Sequence, residues 1–455
     1  MKYFKFNGLL QESGWISPAY VGIDLEGKVT YISKEQPVDA IAVEFVRGFV
    51  LPGFQNAHSH AFQFAMAGMA ETHQTGSNDD FWSWREAMYA CALSMNPEQL
   101  ENVAAMLYAE MLRRGYTHVA EFHYLHHDER GKPYENLAEM GERLVSAANT
   151  AGIKITLIPI FYQRGNFGND PLPRQRRFIS KTIDDYFQLL DDSANAILKY
   201  THARLGFGVH SLRAVEHEDV IKTFREGPPS IPFHLHAAEQ LKEVDDCLAF
   251  LHKRPVEWLL ENLSLNERFH IVHCTHMNDY EVAGLAKSNA NVVLCPGTEG
   301  NLGDGIFRLG EFASHGGNWS LGTDSHISLN PLEDLRWLDY TQRVTTHKRN
   351  TFDNGAKILL TKTLSSGRMA MASGNKQIDF FEVDSPFDAV VYDADSPLLS
   401  RPDIEQVLPS LIYTADASNV LGTIVNGKWV VKNNVHQNLN QIKFIFQRTM
   451  KSLQA

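Results

Sequence analysis

Short apolar runs alternate with longer helical stretches along most of the chain, and this alternation predicts the fold. Apolar residues dominate each run instead of alternating with polar ones, which is typical of strands buried on both faces. We therefore interpret the runs as eight buried strands. They cover residues 48–54, 117–122, 153–162, 204–210, 231–237, 269–274, 291–295 and 319–325.

The stretches between these runs carry helix signals. Asn96 is a predicted N-cap, Pro97 takes the first helical position, and Gly115 ends the segment. An apolar stripe lies between them, made of Leu100, Val103, Leu107 and Met111. Eight β–α alternations predict an α/β protein with a (β/α)8 TIM barrel. The alternative is an open doubly wound sheet, but no GxGxxG motif follows the first run.

Both ends of the chain are predicted to be β structure outside the barrel. The N-terminal segment alternates around the glycine turn of DLEGKVTYI, and residues 387–393 and 422–434 resemble hairpin strands with a tight turn at Asn426-Gly427. We expect these strands to form a small β-sandwich domain beside the barrel. The predicted first part of the β domain is residues 1–50, and the predicted barrel is residues 51–380. Residues 381–455 are predicted to form the second part of the β domain and the C-terminal tail.

Composition narrows the class of protein. A chain of 455 residues with 44% hydrophobic and 21% charged residues is an ordinary globular protein. The formal net charge of −12 argues against a nucleic-acid binder. The N-terminus lacks a signal peptide and no run of 18 apolar residues occurs, so we expect a cytoplasmic protein without membrane association. Four separated cysteines form neither a disulfide framework nor a thiolate zinc site: Cys91, Cys247, Cys274 and Cys295.

Histidines and carboxylates gather where the predicted strands end. In a (β/α)8 barrel the chemistry sits at the carboxyl ends of the strands. One such histidine is usually a satisfied polar residue, whereas many at successive strand ends favour a functional site. The polar residues at these ends are His58, His60, Glu121, His123, Tyr124, His210, Arg213, His234, His236, Glu239, His273, His276, Asp324, Ser325 and His326.

The spacing of two of these histidines suits a metal ion. His58 and His60 are two residues apart, so in an extended chain both imidazoles point to one side. Imidazoles combined with a carboxylate suit Zn2+ or Fe2+, and bound Zn2+ lowers the pKa of its water to about 7. Glu239 follows His236 by three residues and is placed to carry a proton. The alternative for Glu239 is a carboxylate that a helix N-terminus stabilises.

These residues resemble the amidohydrolase superfamily, over nearly the whole chain. Its members carry H-x-H after the first barrel strand, single histidines after the fifth and sixth, and an aspartate after the eighth. The H-x-x-E step of His236 and Glu239 is similar to that of the cytosine and adenosine deaminase branch, which implies one metal and release of ammonia. The fourth strand ends GFGVHSLR, without the lysine of binuclear members, which also implies one metal.

Seven motifs in order resemble the formimidoylglutamate deiminase family within that superfamily. That resemblance implies metal-dependent hydrolysis of N-formimino-L-glutamate to N-formyl-L-glutamate and ammonia, a step of histidine degradation. The motifs are LPGFQNAHSHAFQFAMAGMAE, FWSWREAMY, GYTHVAEFHYLHHD, GVHSLRAV, HLHAAEQLKEVDDC, EGNLGDGIF and GTDSHISLNPLEDLRWLDY.

The resemblance implies three sets of site residues, matched position by position. The ligands of one Zn2+ per subunit, with Fe2+ as the alternative, are His58, His60, His236 and Asp324. The catalytic residues are Glu239, which carries the proton, His273, which polarises the formimino carbon, and Asp324, which also accepts a proton. The residues that hold the glutamate portion are Gln63, Arg85, Tyr124, His210 and Arg213.

The implied substrate is an anionic amino-acid derivative, and the protein itself is acidic. Arg85 and Arg213 can each offer a bidentate guanidinium to one of the two carboxylates, which would overcome the net negative charge. The alternative for Arg85 is a surface helix residue that stacks on Trp82 or Trp84. For Arg213, three residues beyond a strand end, the pocket is the better interpretation.

Two rival functions remain open at this point. A purine or pyrimidine ring deaminase would use the same metal residues with an aromatic and amide-lined pocket. A catalytically inactive binding protein of the same fold would have lost a ligand or the glutamate. His126 and His127 are interpreted as loop histidines, residues 161–168 are expected to carry no chemistry, and the role of the EGNLGDGIF loop is open. The size of the chain favours a homodimer.

Overall fold

The computed structural model describes residues 1–38, 40, 42–71, 81–372, 379–400 and 403–453, with the backbone alone at Phe81 and Trp82. Its strands fall into two sheets, one made by the chain ends and one that forms a barrel. The strands are β1 Lys2–Gln11, β2 Gly14–Ile16, β3 Ala19–Ile23, β4 Val29–Ser33, β5 Glu44–Pro52, β6 Phe54–Ser59, β7 Tyr116–His123, β8 Lys154–Phe161, β9 Ala203–Leu205, β10 Phe207–Ser211, β11 Phe233–Ala237, β12 Phe269–His273, β13 Asn291–Leu294, β14 Asn318–Leu321, β15 Ala389–Asp393, β16 Val420–Val425, β17 Lys428–Lys432 and β18 Val435–His436.

The helices connect the barrel strands and surround them. They are α1 Phe81–Ser94, α2 Pro97–Arg113, α3 Glu139–Ala151, α4 Ile183–Ile197, α5 His217–Glu226, α6 Leu241–Leu251, α7 Pro255–Asn262, α8 Asp279–Lys287, α9 Pro296–Leu302, α10 Leu309–Ser314, α11 Pro331–Thr346, α12 Gly355–Ala370, α13 Val407–Thr414 and α14 Leu439–Leu453. Among the residues described, no helix is both long and apolar enough to span a membrane.

The predicted cap and stripe of α2 are confirmed. The Asn96 side chain accepts a hydrogen bond from the backbone N–H of Gln99 at 2.9 Å, which satisfies one free donor of the first turn. Leu100, Val103, Leu107 and Met111 are all buried. Gly115 then takes a φ of 95°, the left-handed conformation that glycine adopts without strain.

Eight parallel strands form the barrel in the order β6-β7-β8-β10-β11-β12-β13-β14, with the short β9 beside β8. Closure between the last strand and the first comes from a parallel bridge of Ser59 and Asp324 and from the Asp324 N–H, which donates to the His58 carbonyl at 3.0 Å. The predicted (β/α)8 barrel is confirmed. Its closure places Asp324 directly beside the H-x-H segment.

The prediction that residues 48–54 form the first barrel strand is wrong. This run is mostly β5 of the other sheet, where Pro52 pairs with Ala389, and the barrel begins only at Phe54. Both strands are buried, so the apolar run continues across the boundary without a break in hydropathy. Gly53 marks the break, because a Cβ there would lie 2.2 Å from the Thr117 side chain. His58 therefore lies within β6, and His60 directly follows it.

The two chain ends form one nine-stranded sheet, in the order β18-β17-β16-β15-β5-β1-β3-β4 with β2 on β1. β1 and β17 are four steps apart in this order, about 19 Å in a flat sheet. The rings of Phe4 and Trp429 on these strands nevertheless lie 6.4 Å apart, so the sheet folds over on itself. The predicted β domain is confirmed, and its two faces belong to one continuous sheet. Its limits at residues 50 and 380 stay a prediction.

Candidate active site

Three of the predicted ligands converge at the carboxyl ends of the barrel strands. His58 Nε2 lies 3.1 Å from His60 Nε2 and 3.1 Å from His236 Nε2. All three side chains are buried. The extended backbone of β6 accounts for the first pair, because residues two apart project to the same side. β11 brings the third imidazole to them.

Backbone carbonyls set the orientation of two of these rings. His60 Nδ1 donates to the Phe122 carbonyl at 2.9 Å, and His236 Nδ1 donates to the His210 carbonyl at 2.9 Å. A carbonyl can only accept, so in both rings the proton is on Nδ1 and the Nε2 lone pair faces the cluster. This arrangement is how proteins prepare imidazoles as metal ligands.

Asp324 completes the cluster. Its Oδ1 lies 3.2 Å from His60 Nε2 and 3.6 Å from His58 Nε2. Burial opposes ionisation, but the adjacent imidazoles of His58 and His60 hold the pKa of the Asp324 carboxyl well below its ordinary value. Three imidazole nitrogens and a carboxylate oxygen so close together fit a divalent cation between them, and this donor set suits Zn2+ or Fe2+.

Glu239 lies beside this cluster and is not the cap of the next helix. Glu243 has that role, because its carboxylate accepts from the backbone N–H groups of Ala238 at 3.3 Å and Glu239 at 3.1 Å. The Glu239 side chain turns inward instead, with Oε1 3.6 Å from His273 Nε2 and Oε2 4.0 Å from Arg213 Nη2. Burial raises the pKa of its carboxyl.

His273 is surrounded by carboxylates. Its Nδ1 faces Glu299 Oε1 at 3.3 Å, and its Nε2 faces Asp324 Oδ2 at 3.8 Å as well as Glu239. Burial disfavours the charged imidazole, but these three carboxylates outweigh it and raise the pKa of His273 to about 10. The side chain is therefore a proton donor at neutral pH.

Glu299 was missed by sequence reasoning. It lies on α9 in the EGNLGDGIF segment, where its Oε1 accepts from the Cys295 N–H at 2.9 Å and faces His273. The same segment carries Asp304, whose pKa burial and the nearby Glu239 raise to about 9. No spacing rule links α9 to a histidine on another strand, so only the fold could reveal these contacts.

Glu121 supports the H-x-H segment from the neighbouring strand. Its carboxylate accepts from Ser59 Oγ at 2.7 Å, from the Ala61 N–H at 2.6 Å and from the Tyr108 hydroxyl at 3.0 Å. Burial raises the pKa of the carboxyl to about 7. These bonds fix the backbone on both sides of His60, and so fix the direction of its ring.

A narrow cleft that opens to solvent lies above the cluster. It brings together the predicted substrate residues with five of the metal or catalytic ones: Gln63, Arg85, Tyr124, His210, Arg213, His60, His236, Glu239, His273 and Asp324. His58 lies deeper, within β6. Residues that sequence reasoning did not place in the pocket also line it: Trp84, Met88, Tyr89, Tyr162, Phe178 and Leu302.

Residues 161–168, which were expected to carry no chemistry, include one residue of the cleft. Tyr162 directly follows β8 and lines the cleft, so the strand-end rule applied to the third strand would have placed it there. Arg85 likewise is no surface residue, because its Nε donates to the Tyr89 hydroxyl at 2.6 Å inside the cleft. The alternative of stacking on Trp82 concerns a side chain outside those described.

Several strand-end histidines lie away from the cluster. His126 Nε2 donates to the Ile160 carbonyl and His127 Nε2 to the Ile179 carbonyl, each at 2.9 Å, as expected of structural loop histidines. The rings of His123 and His126 pack edge to face with centroids 4.8 Å apart. His326 Nδ1 lies 2.9 Å from Thr323 Oγ1, and His234 lies lower in the barrel.

A sequence profile of the amidohydrolase family matches residues 49–430. The chain belongs to the amidohydrolase family. Amidohydrolases are generally metal-dependent hydrolases, in agreement with the histidine and aspartate cluster. A solved structure described as an amidohydrolase from Brucella melitensis superposes with a TM-score of 0.92 at 36% identity, and covers 100% of both chains.

Two curated relatives of this amidohydrolase differ in their sequence identity to it. Formimidoylglutamate deiminase of Pseudomonas aeruginosa is 40% identical over 436 residues, 95% of either chain. The 5-methylthioadenosine/S-adenosylhomocysteine deaminase of Thermodesulfovibrio yellowstonii is 25% identical over 405 residues, 87% of this chain and 83% of the relative.

Proposed function

We propose that this amidohydrolase hydrolyses N-formimino-L-glutamate to N-formyl-L-glutamate and ammonia. One observation carries the proposal: the guanidinium groups of Arg85 and Arg213 line the same cleft as the metal cluster and Glu239. Two buried or half-buried cations suit a substrate with two carboxylates. The formimidoylglutamate deiminase of Pseudomonas aeruginosa, at 40% identity, supports the same substrate.

His58, His60, His236 and Asp324 would hold one Zn2+, with Fe2+ as the alternative. Such an ion, when bound, lowers the pKa of a coordinated water to about 7 and so supplies the nucleophile. The two carbonyl-bound imidazoles need no reorientation to act as ligands, since their Nε2 atoms already face inward.

Glu239 and His273 would manage the protons of the reaction. The raised pKa of the Glu239 carboxyl suits a group that takes a proton from water and returns it at Oε1 or Oε2. The departing =NH nitrogen takes up both protons of the water, one carried by Glu239 and one accepted and passed on by Asp324, and leaves as ammonia while the water oxygen becomes the formyl oxygen. Protonated His273, held at Nδ1 by Glu299, would offer its Nε2–H to the negative charge that develops on the oxygen joined to the attacked carbon.

The two arginines would hold different carboxylates. Arg213 Nη2 lies 4.0 Å from the Glu239 carboxylate, and so near the reacting group. The α-carboxylate of the substrate is attached one carbon from the formimino nitrogen, which places it on the Arg213 side. Arg85, on α1, would then bind the carboxylate at the end of the side chain, with Gln63, Tyr124 and His210 lining the space between.

Ring deaminases are the second candidate, because relatives of that kind share about a quarter of their residues with this chain. A neutral ring offers no carboxylate to the two guanidinium groups that line the cleft, whereas N-formimino-L-glutamate offers one to each. A homodimer and a cytoplasmic location stay predictions.

The decisive measurement is ammonia release by zinc-loaded protein. We expect turnover of N-formimino-L-glutamate and none of guanine, adenine, cytosine, 8-oxoguanine or 5-methylthioadenosine. Arg213→Ala should raise KM for the formimino substrate by about tenfold or more, because a charge-assisted hydrogen bond is lost. Release from a ring substrate alone would refute the proposal, and an unchanged KM would refute the role of Arg213.

A further inference from the structure

Gln175 is a fully buried residue that joins two tyrosines of the cleft. Its side-chain Nε2 lies 3.0 Å from the Tyr89 hydroxyl and 2.9 Å from the Tyr162 hydroxyl. The residue ends a short 3-10 turn, Pro173–Gln175, in a loop between β8 and α4. Tyr89 and Tyr162 are both buried and both line the cleft, but they come from α1 and from the end of β8.

The direction of the Gln175 amide follows from its other contact. Its Oε1 accepts from the backbone N–H of Leu172 at 2.7 Å. A backbone N–H can only donate, so the amide oxygen must face Leu172 and the NH2 group must face the tyrosines. Gln175 therefore donates one hydrogen bond to each hydroxyl oxygen, and its contact with the Gly165 carbonyl, at 3.4 Å, is longer and weaker.

Arg85 occupies the remaining lone pairs of these hydroxyls. Its Nε donates to the Tyr89 oxygen at 2.6 Å, and the guanidinium also hydrogen-bonds Tyr162. Each tyrosine oxygen then accepts two hydrogen bonds, which is its full capacity. Its own hydrogen must point away from Gln175 and from Arg85. Both side chains line the cleft, which makes a group bound there the candidate acceptor for these hydrogens.

We propose that Tyr89 and Tyr162 are donors to a substrate carboxylate and that Gln175 is the positioning residue that makes them so. Tyr89, Tyr162 and Arg85 together form a preorganised carboxylate-binding site, which we call the carboxylate cradle. The guanidinium supplies positive charge, and the two O–H groups supply hydrogen bonds of fixed direction. Preorganised donors bind an anion without the cost of ordering side chains. The ligand class is the distal carboxylate of an acidic amino-acid derivative, an identification that rests on the proposed function.

Single removal of each hydroxyl tests the cradle. Tyr89→Phe and Tyr162→Phe should each raise KM for N-formimino-L-glutamate about tenfold or more, with kcat within about threefold of wild type, since the donor is remote from the reacting carbon. Both should weaken calorimetric binding of glutarate, a dicarboxylate without a reacting group, by a similar factor. Tyr134→Phe is the matched control, because that hydroxyl contacts Arg177 away from the cleft and should change neither value.

Two substitutions of Gln175 separate positioning from packing. Gln175→Glu keeps the shape and the Leu172 contact, but a carboxylate can only accept, so both tyrosine hydrogens should turn from the cleft toward it. We expect KM and the glutarate Kd to rise about 100-fold. Gln175→Met removes the hydrogen bonds without reversing the hydroxyls and should cost less than tenfold. Equal effects of both variants would mean that Gln175 only fills space, and would overturn its positioning role.

The cradle and the proposed function can fail separately. Wild-type protein that binds glutarate but releases no ammonia from the formimino compound, with weaker glutarate binding in both tyrosine variants, would refute the function and leave the cradle standing. Turnover by wild type with KM and glutarate Kd unchanged in both tyrosine variants would refute the cradle alone. If Gln175→Glu does not fold, the tyrosine variants still test whether the two hydroxyls are donors. Gln175→Met then tests the positioning role, and an unchanged KM in that variant would overturn the role.

Discussion

The barrel contains two layers of buried histidines, and they differ in how the rings meet. In the upper layer the rings of His58 and His236 meet at 89° with their Nε2 atoms 3.1 Å apart, and His58 Nε2 also faces Asp324. In the lower layer His234 and His270 stack at 21° with centroids 4.7 Å apart, so the faces meet instead of the nitrogens.

One strand supplies both layers. His234 and His236 are two residues apart on β11, point to the same side, and are both buried. What separates them is their neighbours, since His236 reaches the ends of β6 and β14 whereas His234 pairs with His270 across β11 and β12. A histidine inside a barrel is therefore a candidate ligand only at the level where a carboxylate and other ring edges converge.

The largest expected difference between the layers is in metal content. His236→Ala should lose the bound metal and lower kcat by at least about 100-fold, because a ligand is removed. His234→Ala should keep one metal per chain and lose about 2 kcal/mol or more of stability from the cavity it leaves. Metal analysis of purified protein and urea unfolding measure the two effects. Loss of metal from both variants would mean that the layers act as one site.

Glu239→Gln tests proton transfer separately from metal binding by the upper layer. The variant should keep its metal, because Glu239 is not among the ligands, while kcat falls by about 10²- to 10⁴-fold with the loss of the proton carrier. Steady-state kinetics beside metal analysis test this. Activity near that of wild type would contradict the assigned role.

The lower layer should respond to pH through stability alone. Burial lowers the pKa of His270 to about 3, below its ordinary value of 6.5, so the folded state holds it neutral. The contribution of neutral His270 to the free energy of unfolding is complete above pH 6.5 and is lost as pH falls toward 3. About 2 kcal/mol of it is lost by pH 5. Urea unfolding at pH 7 and 5 should therefore show a smaller loss in His270→Gln than in wild type.

Replacement of the exposed His315 by Gln is the control for that measurement, since it changes a histidine outside the core. Identical pH dependence in His270→Gln and wild type would show that His270 takes up its proton as readily in the folded as in the unfolded protein, contrary to its burial.

The family resemblance implied the ligand set and the pocket arginines, whereas the residues by themselves predicted the barrel, the histidines at its strand ends and the start of α2. These follow from patterns local to one segment: apolar runs for buried strands, H-x-H and H-x-x-E for side chains brought to one strand end, and Asn96 with Pro97 for a helix start. Local patterns are readable because strand and helix periodicity fixes which neighbours share a side. The boundary at Gly53 escaped this reasoning because two buried strands of different sheets make one uninterrupted apolar run.

Only the tertiary structure decided which residues support those groups. Glu299 reaches His273 from α9, Glu121 reaches Ser59 and Ala61 from β7, and Gln175 joins tyrosines that lie 86 and 13 residues away from it. The same holds for His234 and His236, alike in sequence context but at different heights in the barrel. Such partners have no fixed spacing, because a buried polar group is satisfied by whichever element the packing brings to it.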